Sequence, residues 1–109
     1  VRAPTLGALA APVTALATLT ARFPDLPSVD CQISTIVPDE LELVSHDNLA
    51  GFEAWRQALG IAPDSVVHGV QGGGTTHVLK AYTAFMGVRV RLVCFAPVAA
   101  PARAAEVAS

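Results

Sequence analysis

The residues of this chain best suited to chemistry are its histidines and a short run of cations among strand-forming residues. His68 and His77 flank Gly72-Gly73-Gly74 within VHGVQGGGTTHVLK. Gly72-Gly73 is a favoured two-residue hairpin loop, because both positions accept positive φ. Counting outward from that loop, Gln71 faces Gly74, Val70 faces Thr75, His68 faces His77 and Val67 faces Val78. Directly opposed residues have Cβ atoms about 5 Å apart, close enough for two neutral imidazoles to share a metal ion. Cys94 lies one diagonal step from His77 on the same face. Zinc asks for three or four ligands in tetrahedral geometry, and the sequence places no third; His46 precedes the central helix with nothing to bring it near. The plainer reading is a pair of sheet histidines at the edge of the core, bonded to backbone or water. No metal and no cofactor are therefore expected.

Other constellations are weaker. Ser45-His46-Asp47 holds the three residue types of a nucleophilic triad, but a triad is assembled from separated segments and consecutive residues cannot form one. Capping explains Ser45 and Asp47 better. The stretch QGGGTTHVLK has the glycines and the lysine of a phosphate loop without its context. A Walker loop runs from a strand into a helix whose N-terminus meets the phosphates, whereas here a β-branched run follows and Lys80 falls on a strand. No pair of carboxylates is forced together, so an enzyme is not expected.

What remains is a surface. A second tight turn at Met86-Gly87 sets Phe85 against Val88, Thr83 against Val90, Ala81 against Leu92 and Leu79 against Cys94. One side of this meander then carries Val66, Val70, Leu79, Ala81, Phe85, Val88, Val90, Leu92 and Cys94, the core face. The other side carries Lys80, Tyr82, Arg89, Arg91, Val93 and Phe95. Cations among aromatics on a sheet can neutralise phosphate and stack bases, as single-strand binders do. There is no RNP-like signature, however, and the first hairpin brings Asp30, Glu40 and Glu42 towards the same face. With Val78, Val93 and Phe95, that face is apolar enough for a protein partner or a second copy, and Tyr82 and Arg91 are expected as a cross-strand cation–aromatic pair.

These candidates need a scaffold, and Ser45–Gly60 is its centre. Leu49, Phe52, Trp55 and Leu59 recur at helical spacing, with Glu53, Arg56 and Gln57 mainly off that face. Asp47 or Asn48 can cap the helix, and Gly60 followed by Ile61 and Pro63 can end it. Earlier, Leu6, Leu9, Val13, Leu16 and Phe23 outline an amphipathic helix over Thr5–Arg22 that must tolerate Pro12, with Thr5 as cap. Val29–Val37 alternates as a half-buried strand, Pro38-Asp39 turns, and Leu41 and Leu43 mark a second short strand antiparallel to the first. The element order is α-β-β-α-β-β-β: an α+β fold with two helices on one face of a mainly antiparallel five-stranded sheet. Residues 1–97 form one compact domain on this reading, and 98–109 an Ala- and Pro-rich disordered tail.

At 109 residues the chain has room for one modest core; 52% of it is apolar and 15% charged, which excludes a disordered solvating segment. A net charge of −2 argues against broad attraction to nucleic acid or anionic membrane. No stretch is long enough to span a bilayer, and Pro4, Gly7 and Pro12 interrupt the apolar start where a signal peptide would be continuous. Cys31 and Cys94 have neither zinc nor redox spacing. Buried free thiols in a cytoplasmic protein are expected, a disulfide requiring strands one and five to meet. In layout, GFEAWRQALG followed by HVLKAYTAFMGVRVRLVCFAPV resembles small uncharacterised actinobacterial proteins of prophage or integrative-element type, and the Arg-over-Lys usage agrees. The resemblance implies a cytoplasmic accessory role and carries over no site residue. The functional expectation is a non-enzymatic protein-binding or regulatory module, possible dimer included, with single-stranded nucleic-acid binding as the alternative.

Overall fold

The computed structural model describes residues 5–97, and the expected tail at 98–109 lies outside them. Two helices, α1 (Ala10–Arg22) and α2 (Leu49–Ala58), accompany five strands: β1 (Asp30–Gln32), β2 (Glu40–His46), β3 (Val67–Gln71), β4 (Thr76–Phe85) and β5 (Val88–Pro97). The strands form one sheet in the order β1-β2-β5-β4-β3. Its pairings are antiparallel except β2 with β5, which run parallel. The α+β class and the mainly antiparallel five-stranded sheet are as expected.

The core lies between the sheet and the two helices. Phe52 and Trp55 of α2 and Ala15 and Leu19 of α1 meet Leu41 and Leu43 of β2, Ala81 of β4, and Val88, Val90, Leu92 and Cys94 of β5. Helix α2 begins where the Asn48 side chain accepts a hydrogen bond from the Gly51 N–H at 2.8 Å. Asn48 is thus the cap, and Ser45 and His46 belong to β2 instead of the helix. The helix ends in a Schellman motif: the Gly60 N–H donates to the Gln57 carbonyl, the Ile61 N–H donates to the Arg56 carbonyl, and Gly60 takes φ +72°. The expected stripe is rotated. Leu49 is exposed, while Arg56 is buried along its stem, because its guanidinium turns back to donate to the Ile61 carbonyl and to Glu53. That hydrogen bond from Arg56 holds the Glu53 carboxyl below its usual range.

Pro12 explains the departure in the first helix. Leu6–Leu9 form a 3-10 turn and the α-helix starts at Ala10, so Pro12 sits in the first turn, where a missing N–H costs nothing. Thr5 precedes that turn without a side-chain cap. The buried face becomes Pro12, Ala15 and Leu19 rather than one through Leu6 and Val13, which are 83% and 49% exposed.

The first strand is shorter than its alternation suggests, β1 having only three residues, all exposed. The Met86-Gly87 turn is as counted, with Phe85 opposite Val88. Both turn residues take positive φ, 54° and 76°, which suits Gly87 but strains Met86. Met86→Asn is expected to stabilise the fold by about 0.5–1 kcal/mol, read as an upward shift of the denaturation midpoint.

The β3–β4 loop differs. Gly72, Gly73 and Gly74 all adopt positive φ, the Thr75 N–H donates to the Gln71 carbonyl, and the Thr75 hydroxyl donates to the Gly72 carbonyl at 2.6 Å. The third left-handed glycine widens the loop to residues 72–75, so Gln71 pairs with Thr76 and His68 with Leu79. A shift by two residues leaves every side chain on its expected face. The histidines become diagonal neighbours.

Candidate functional site

Residues 80–95 place the expected surface on the side of the sheet away from the helices. Lys80 pairs with Val93 and Tyr82 with Arg91 across β4 and β5, while Arg89 and Arg91 face Glu40 and Glu42 across the parallel β2–β5 pairing. The six residues Lys80, Tyr82, Arg89, Arg91, Val93 and Phe95 do share one face. The middle of that face, around Val93, is not open as a face without helices suggests, while Tyr82 and Arg89 stay exposed.

Val44, Val78 and Val93 form a second apolar cluster there, with Phe95 packed against it. Val93 is only 1% exposed. It lies on β5, between β2 and β4, where neighbouring side chains close over it. Phe95 is further covered by a stacked His46 ring at 5.7 Å, and His46 Nε2 approaches the Asp30 carboxylate at 3.4 Å. An apolar centre is thus rimmed by polar groups.

The two arginines on this face already have partners. Arg91 reaches Glu42 at 2.9 Å and Arg89 reaches Glu40 at 3.6 Å. Arg91 leans towards β2, so the guanidinium over the Tyr82 ring is that of Arg89, 4.7 Å from its centroid, and not the expected Arg91. Arg91 Nε is buried and has no hydrogen-bond partner among the described residues. A phosphate approaching this strip would have to displace two carboxylates. The carboxylates Glu40 and Glu42 suit a cation-neutralising role because parallel pairing sets them beside arginines in register.

His68 and His77, diagonal neighbours on β3 and β4, meet through their rings. His68 Nε2 and His77 Nδ1 are 2.8 Å apart, a hydrogen bond between the rings, whose centroids are 4.8 Å apart and tilted by 32°. Among the described residues the two rings bond each other and not the backbone. His46 is on the opposite face and the Cys94 thiol is buried, turned to the Asn48 carbonyl, so neither joins them.

The remaining candidates separate. Ser45 is buried and its hydroxyl donates to the Asn48 carbonyl, while its strand neighbour His46 points to the other side. Cys31 and Cys94 are free thiols on different strands with β2 between them. Desolvation pushes both thiols above their ordinary pKa, Asp30 adding to the effect at Cys31. An apolar cleft of about 290 Å³ beside Trp55 and Phe23 has Cys31 on its rim and no charged side chain in its lining.

Sequence reasoning missed the edge of the sheet. Strand β3 pairs only with β4, and all five of its residues are exposed, Val67 at 58% and Val70 at 54%. Beside it lies a shallow groove of about 210 Å³ lined by Val67, Gly69, Val70, Gln71, Val78 and Lys80. The signal was available in VHGVQ, a strand without charge or proline, but an edge cannot be recognised before the strand order is known. Among the described residues no helix is long and apolar enough to cross a membrane.

The geometry therefore defines an α+β domain with a mixed five-stranded sheet, a rimmed apolar cluster and one bare edge. Comparison with family models, with curated proteins and with solved structures finds no match.

Proposed function

We propose that this protein is a non-enzymatic binding module that works by protein contact, and that its first partner is a second copy of itself. The observation that carries this reading is the unguarded edge of β3. Exposed edge strands present unpaired N–H and C=O groups, and proteins ordinarily blunt them with charge, proline or short length. The opposite edge has such devices: β1 is three residues long and carries Asp30. Strand β3 has none of them.

A two-fold arrangement suits this edge. Antiparallel pairing of β3 with its own copy centred on Gly69 sets Val67 across from Gln71 and His68 across from Val70. No like charges meet, and Gly69 leaves the centre uncrowded, with open space where a Cβ would stand. Val67 and Lys80 would extend the contact onto the adjoining strip of the helix-free face. The pairing of Arg89 and Arg91 with glutamates weighs against the nucleic-acid alternative. A cytoplasmic accessory role, as the actinobacterial likeness implies, is compatible with such a module.

The test is the mass in solution at several concentrations and two salt levels, by light scattering after gel filtration. The expected result is a dimer that changes little with salt and that Val70→Lys converts to monomer, because two lysines then crowd the edge. A monomer at every concentration overturns self-contact. Binding of a single-stranded oligonucleotide that weakens steeply with salt would favour the alternative.

A further inference from the structure

We propose that His68 and His77 form a two-histidine chelate for a single transition-metal ion of tetragonal preference, copper(II) or nickel(II), at the β3–β4 hairpin. The proposal does not depend on self-association. It rests on the distance between the two facing nitrogens.

His68 Nε2 and His77 Nδ1 are 2.8 Å apart. With metal–nitrogen bonds of about 2.0–2.1 Å, two ligands at a right angle stand about 2.9 Å apart, and two at the tetrahedral angle about 3.3–3.4 Å apart. The nitrogen separation matches the cis positions of a square-planar or octahedral ion. Imidazole suits copper and nickel, and those ions favour that geometry.

Register brings the two side chains to adjacent positions on one face. His77 is paired with Val70 and His68 with Leu79 on two strands joined by five residue pairs. Both side chains project from the helix-bearing side, yet the helices pack chiefly on β2 and β5 and leave β3 bare. Hydrogen-bonded as they stand, one ring presents its N–H and the other its lone pair. For metal to enter, the donating ring exchanges tautomer, its hydrogen moving to the outer nitrogen through solvent, and both neutral rings then present lone pairs to the ion. No proton is gained or lost overall.

Among the described residues no group of three or more His, Cys, Asp or Glu converges. The protein thus offers two ligands and water completes the sphere, which suits an exposed tetragonal ion and not a closed structural zinc site.

The test uses the full chain, free of any affinity tag, titrated with copper(II) and with nickel(II) by calorimetry. One ion per chain is expected. His68→Gln and His77→Gln should each weaken copper binding by about tenfold or more, because the second ring of a chelate acts at high effective concentration. The double variant keeps His46 alone and gives the background of a lone imidazole. Electron paramagnetic resonance of the copper-loaded wild type, which needs no variant to fold, should show coupling to two imidazole nitrogens. One coupled nitrogen, or single variants that bind copper as tightly as the wild type, would overturn the proposal.

Discussion

Phe52→Ala is expected to cost about 3–5 kcal/mol, enough to leave the domain marginal or unfolded at room temperature. Natural domains of this size have about 5–15 kcal/mol to lose. Phe52 is fully buried and heads the large buried side chains of the protein. Its neighbours make the loss hard to absorb. Ala15 and Ala81 are already small, and Leu41, Leu43, Val90 and Leu92 are fixed to the central strands, so the wall cannot collapse inward. Alanine at position 52 would leave a cavity beneath the point where α2 meets β5. Phe52→Leu keeps most of the volume and should cost less than about 1.5 kcal/mol. The pair is checked by urea denaturation: the leucine variant should retain a cooperative transition at a lower midpoint, and the alanine variant should have little or no folded baseline.

The same residue shows what the sequence disclosed. Phe52 and Trp55 were recognisable because helical periodicity is local, and Gly60 because a left-handed terminus needs a residue without Cβ. Strand faces were equally legible, and they survived a wrong loop length at Gly72–Gly74 since a shift of two preserves alternation. Partnership between distant strands was not legible. Glu40 and Arg89 are far apart in sequence, and nothing local announces that β2 lies parallel to β5. That pairing decides which cations are neutralised. It also decides that β3 is an edge and that Val93 is a centre. For the histidines, sequence established proximity, but the 2.8 Å contact depended on a diagonal register that only the wider loop produces.

Val93 is where the two descriptions diverge most, and substitution there separates them. As an exposed member of a contact patch, Val93 would tolerate alanine in the free protein and lose only association. In the structure it is 1% exposed, packed with Val44 and Val78 on the side of the sheet that has no helix. Val93→Ala should therefore destabilise the folded chain by roughly 2 kcal/mol, from about 0.8 kcal/mol for each buried methyl or methylene removed plus a cavity term. Val67→Ala makes the identical chemical change on the same face, at a position 58% exposed, and should cost no more than about 0.5 kcal/mol. Denaturation curves for both variants, at concentrations spanning the monomer–dimer range, give the comparison. A large loss at Val93 with a small one at Val67 means that the helix-free face is a second core in its middle and a contact surface only towards β3. Equal small losses would mean that the valine cluster is open to solvent, and the whole face would then be free for a partner.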